Sequence, residues 1–185
     1  MRTKVLIALP QGAFFTICSL GPLIFSLYIL GYFSKPIWSG DWLSWNRNLD
    51  NLYAPETLFV NLAMAAHLFG GAVLGLLGPW QLIPRLRRVY PQWHRRLGKL
   101  YLLTAVCVSL GGLFFILTKH TVGGLPMDIG FSIYGVLILL CATLTYKNAR
   151  AQEFDFHRRW ALRLFALGIS SWLYRVEYSL WGLLK

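Results

Sequence analysis

The chain has 185 residues, and 18 basic side chains against 7 acidic ones give it a net charge of +11. It is 56% hydrophobic and 14% charged, where a soluble domain carries about 25% charge, so its surface is not mostly wet. That hydrophobicity excludes a disordered chain. Basic residues set between long apolar runs, with no recognised module, exclude nucleic acid as a partner.

Roughly 20 apolar residues carry a helix across the ~30 Å hydrocarbon core of a bilayer. Residues 5–33, 58–83, 100–118 and 129–146 each run without a charge. The first follows a basic start (Arg2, Lys4) but is about twice as long as a signal-peptide core and has no small-residue cleavage site, so it reads as an uncleaved anchor. Residues 160–183 contain Arg163, Arg175 and Glu177, and their uncharged centre, 164–174, is too short to span alone. The helical pattern continues through the charges, which predicts a fifth span that carries them. The predicted fold is therefore all-α, a polytopic transmembrane helical bundle of about five spans. Residues 1–57 are read as an N-terminal membrane anchor plus an external Trp-rich interfacial loop, and 58–185 as a four-helix membrane core.

Thirteen of the 18 basic residues fall at the N-terminus, in 84–99 and in 146–163. Short loops rich in Lys and Arg stay in the cytoplasm, which predicts a cytoplasmic N-terminus and an external C-terminus. In the loop after the first span, Trp38, Trp42, Trp45 and Leu49 recur at helical spacing. Two readings are open there: an indole belt that fixes depth at the head groups, or a lid over an externally open cavity. Cys18, Cys107 and Cys141 all lie inside spans with no paired spacing, so they read as packing residues, not as zinc ligands or disulfides.

Two stretches match each other. Trp93-His94-Arg95-Arg96-Leu97 joins the second and third spans, and Phe156-His157-Arg158-Arg159-Trp160 joins the fourth and fifth, 63 residues later. The pattern is one helical hairpin used twice, and it puts two imidazoles and four guanidiniums on the cytoplasmic side. Three readings of this cluster are open. Arg95, Arg96, Arg158 and Arg159, with Arg163, set topology and touch anionic lipid. Alternatively they recognise one phosphorylated head group. In the third reading His94 and His157 are a ligand pair for haem iron, with no other metal site indicated.

His67 lies about 13 Å below the outer end of the second span, on a stripe with Met64, Gly71, Gly75 and Gly78. Small residues on one face admit another backbone or a flat ligand. Arg175 falls at a similar level on the last helix, and helical side chains lean toward their own N-terminus, so the two lean toward each other. A charge at that depth needs a partner on another helix or a ligand, or else snorkels to the outer head groups. Glu177 is two residues away and does not face it. His120, beside Lys119, reads as interfacial.

The series His67, Gly71, Gly78-Pro79-x-Gln81, His94-Arg95-x-x-Gly98-x-x-Tyr101, His157-Arg158-Arg159-Trp160 and Arg163, ending near Arg175, resembles bacterial membrane proteins grouped as domain of unknown function 2306. The likeness covers about residues 60–178; the chain has Ala161 where that family often has Met. The resemblance implies a multi-pass protein of the bacterial cytoplasmic membrane, marks the same His and Arg residues, and implies no activity.

Two functions follow as expectations. One is a membrane redox protein in which His94 and His157, or His67 with a partner, hold b-type haem, while Arg175 and the loop arginines hold propionates or quinone. The other is a non-enzymatic lipid-binding or accessory subunit of a larger membrane complex, gripping anionic lipids with its basic loops. No nucleophile–base arrangement supports an enzyme acting on lipid-linked substrates.

Overall fold

A computed structural model describes residues 2–47 and 50–184, the side chains of 2–11 and 14 excepted. Leu49 and Lys185 lie outside the described residues, as do the side chains of Arg2 and Lys4. Every regular element among the described residues is helical: α1 Arg2–Ser39, a 3-10 turn Trp42–Arg47, α2 Leu58–Leu82, α3 Pro84–Val89, α4 Pro91–Lys119, α5 Gly124–Arg150 and α6 Phe154–Leu183. The fold is the polytopic helical bundle that the apolar runs predict. Phe15–Ser39 within α1, together with α2, α4 and α5, are long and apolar enough to cross a membrane. The 30 residues of α6 reach about 45 Å, but its charges set it apart from those four.

Prolines punctuate the connection from α2 to α4. A residue ahead of proline avoids the helical region, and Ile83, before Pro84, adopts an extended ψ of 115° that ends α2. Pro84 and Pro91 then open α3 and α4 at positions whose amide would have no intrahelical partner anyway. At the turn between α4 and α5, buried Asp128 reaches back to accept from the Thr121 amide and hydroxyl, both at 2.7 Å. His120, read from the sequence as merely interfacial, lies 2.8 Å from the other Asp128 oxygen.

The helix α2 packs against both α4 and α6, and α5 packs against the same two. Thus α4 and α6 stand on a diagonal, while α1 lies along α2. One buried cluster, including Leu74, Tyr101, Ala105, Ile138 and Leu164, fills the space between α2, α4, α5 and α6. A second joins α1 and the 3-10 turn to the outer half of α2 through Phe33, Trp45, Met64 and Leu68.

The tryptophans of the outer segment do not share one role. Trp38 is 85% exposed, whereas Trp45 is 1% exposed and donates its indole N–H to the Phe33 carbonyl at 3.1 Å. Two asparagines hold the segment in place. Asn46 donates to and accepts from the Tyr53 backbone, and Asn61 does the same with Ala54.

Candidate functional site

The matched stretches become matched helix starts. His94 is the fourth residue of α4 and His157 the fourth of α6, and each backbone amide closes the first helical hydrogen bond, to Tyr90 and Glu153 respectively. The side chains around them repeat as well. The Arg96 guanidinium lies over the Trp93 ring at 5.9 Å, and Arg159 over Phe156 at 5.7 Å. Residues three apart on a helix are neighbours, so each pair braces its own first turn. Arg95, Arg96, Arg158, Arg159 and Arg163 are all exposed, and none forms an ion pair among the described residues. Arg163 lies over Trp160 at 4.5 Å.

The two histidines, on the diagonal helices, are near enough to interact electrostatically. His157 Nδ1 is 2.9 Å from the Thr145 carbonyl of α5. A carbonyl only accepts, so Nδ1 carries a proton, and in the neutral ring Nε2 is the lone pair. His94 is half-buried, and its Nδ1 has no hydrogen-bond partner among the described residues, as is also true of Gln81 Nε2. Buried polar atoms without partners are few in native proteins and call for water, an ion or a ligand. Gly98 sits where a methyl would come within 3.1 Å of Gln81 Oε1, so this glycine admits the Gln81 side chain. Gly78 and Gly168 likewise make room for Phe165 and Tyr101.

His67 lies in the first half of α2, away from the end that joins α3 and α4. Its Nδ1 is 2.9 Å from the Val108 carbonyl, which again fixes the proton on Nδ1 and leaves Nε2 unprotonated. Gly111 and Gly112 of α4 permit this approach, since a methyl on Gly112 would lie 2.8 Å from His67 Nδ1. The glycine stripe read from the sequence divides. A methyl on Gly75 would collide with Ser26 and Pro22 of α1, and one on Gly78 would press on Phe165. One on Gly71 would meet nothing within 4 Å.

Arg175 turns back along α6 and donates to the Ser171 carbonyl at 3.3 Å. Its partner on another helix is an aromatic ring, with the guanidinium 4.8 Å from the centre of Phe25 on α1. The Arg175 charge also acts on His67. Sequence reasoning missed Thr145, Val108 and Phe25 because the first two contribute backbone oxygens and the third is one aromatic among many. The Gly111-Gly112 pair was the available signal for the close α2–α4 approach. Among the described residues, no three His, Cys, Asp or Glu side chains converge as a metal site.

Neither a curated protein nor a solved structure matches the chain. Residues 64–184, well over half of it and including His67, His94, His157 and Arg175, match the family described as predicted membrane protein DUF2306. The chain belongs to that family, and is an integral membrane protein.

Proposed function

We propose that this protein is a membrane redox protein that holds a b-type haem between His94 and His157 at the cytoplasmic end of the bundle. The observation that carries the reading is the state of the two rings on the diagonal helices. His157 has its tautomer fixed by the Thr145 carbonyl, as ligating histidines commonly do. His94 has a buried ring nitrogen that no group among the described residues satisfies. Neighbouring helices pack 8–10 Å apart, so a diagonal pair is separated by on the order of 13 Å, and a flat group would have to lie at the helix starts, beyond the packed cluster of Tyr101 and Leu164. Such a haem would supply one-electron chemistry. The residues themselves would bind and orient it: His94 and His157 at the iron, and Arg95, Arg158 and Arg163 as planar donors for its carboxylates. The test is the visible spectrum of the purified chain and of its His94→Ala and His157→Ala variants, either of which should remove the haem bands.

A second reading has its own support. The exposed arginines at both helix starts have no acidic partner among the described residues, and two are braced on aromatic rings. Basic residues at a membrane surface gain about 1 kcal/mol each from anionic lipid. A lipid-gripping subunit would be colourless and would lose co-purifying anionic phospholipid when Arg95, Arg96, Arg158 and Arg159 are changed together to Gln.

A further inference from the structure

The outer pair, His67 and Arg175, has no part in the cytoplasmic histidine site and presents three unfilled requirements. Arg175 has five N–H donors, and the hydrogen bond to Ser171 uses one of them. No carboxylate among the described residues pairs with it. His67 Nε2 is an acceptor without a hydrogen-bond partner among the described residues. The helices that carry the two side chains, α2 and α6, pack against each other, and a methyl on Gly71, one turn after His67, would meet nothing within 4 Å. A helical side chain covers the turn N-terminal to its own Cα, so the absent side chain of Gly71 leaves uncovered the patch beside His67.

Depth narrows the class of ligand. Counted from Trp160, a hydrocarbon crossing takes about 20 residues, which leaves the Ser171 carbonyl roughly 13 Å inside the outer boundary. A fatty-acid carboxylate or a phospholipid phosphate stays at head-group level, too shallow for a guanidinium turned inward. The ligand must reside within the hydrocarbon and offer one hydrogen to an imidazole lone pair and one oxygen to a cation. An aromatic ring in the ligand would also suit the neighbourhood, since the guanidinium already lies 4.8 Å from the centre of the Phe25 ring.

We propose that His67 and Arg175 bind a lipid-soluble hydroquinone, one ring hydroxyl donating to His67 Nε2, the opposite oxygen accepting from Arg175, and the ring occupying the space beside Gly71. This names a partner for the redox reading above, yet it rests on different residues and fails separately from it.

The test is retention of decylubiquinone, oxidised or reduced to its hydroquinone, by the full chain in nanodiscs, measured as the excess over empty nanodiscs. The expected result is a saturable excess of the hydroquinone that weakens about tenfold or more in Arg175→Leu, the scale of losing one charge-assisted hydrogen bond, and about threefold or more in His67→Phe, the scale of losing a neutral one. Arg175→Lys should retain most of the binding. The His67→Phe loss should be larger for the hydroquinone than for the quinone, which has no hydroxyl to donate. Gly71→Phe fills the space without touching either polar group and should remove the excess while the helical circular dichroism is kept. Absence of a saturable excess in the parent chain would overturn the proposal, and so would an excess that a folded Gly71→Phe, Arg175→Leu or His67→Phe protein retains in full. A haem spectrum with no excess would overturn this site and leave the haem reading standing; an excess without haem would do the reverse.

Discussion

His67 on α2 donates its Nδ1 hydrogen to the Val108 carbonyl of α4 across 2.9 Å, and the two helices come this close because α4 has glycine at 111 and 112. That relationship makes neighbouring glycines behave in opposite ways. Gly112→Ala puts a methyl 2.8 Å from the His67 ring and should cost about 1–3 kcal/mol, the usual cost of overpacking. Gly71→Ala meets nothing within 4 Å and replaces a poor helix former, so it should gain about 0.5–1 kcal/mol. Thermal unfolding of the two variants in one detergent checks the sign of each. Equal effects would mean that the α2–α4 approach is looser than described.

Trp45 anchors the outer segment. Its indole is 1% exposed, packs edge-on against Phe33 and donates to the Phe33 carbonyl. Trp45→Ala should cost about 3–5 kcal/mol, as large aromatic truncations in a core do. Trp38→Ala, at 85% exposure, should leave the unfolding curve almost unchanged. Comparable losses in both would favour an interfacial belt over a packed anchor.

Much of this architecture is legible in the sequence, because long apolar runs leave a chain few alternatives in a bilayer. The repeat of Trp93-His94-Arg95-Arg96 in Phe156-His157-Arg158-Arg159 also pointed correctly to equivalent helix starts. What the sequence hides is orientation about each helix axis. A helix apolar on every side has no polar face to mark its outside, so Trp45 and Trp38 look alike until their surroundings are known. The partners of His67 and His157 are carbonyl oxygens, which every residue possesses and no sequence advertises. Arg175 suggested an acid or a ligand, and the group it meets on another helix is the Phe25 ring.

The outer turn between α4 and α5 should depend on one carboxylate. Asp128 accepts from the Thr121 amide and hydroxyl and faces His120 with its second oxygen. Asp128→Asn presents an NH2 group to one of these partners and should lower the unfolding temperature more than His120→Ala, whose ring is largely exposed. Neither change should alter a visible spectrum, because the turn lies at the opposite end of the bundle from His94 and His157.

Topology follows from the loop charges. With 84–99 and 146–163 in the cytoplasm, the end of α6 should lie outside, so alkaline phosphatase fused after the chain should be active and green fluorescent protein fused there should be dark. A fluorescent fusion with inactive phosphatase would invert the bundle and move the histidine pair to the outer face.

The central claim is a haem between His94 and His157, and an absorption spectrum tests it most directly. The protein would be purified in mild detergent from cells supplied with a haem precursor, then recorded oxidised and after dithionite. The account predicts a Soret band that sharpens and shifts on reduction, with α and β bands, all lost in His94→Ala and in His157→Ala and kept in Arg96→Gln. A featureless spectrum would contradict it, as would bands that survive both histidine changes.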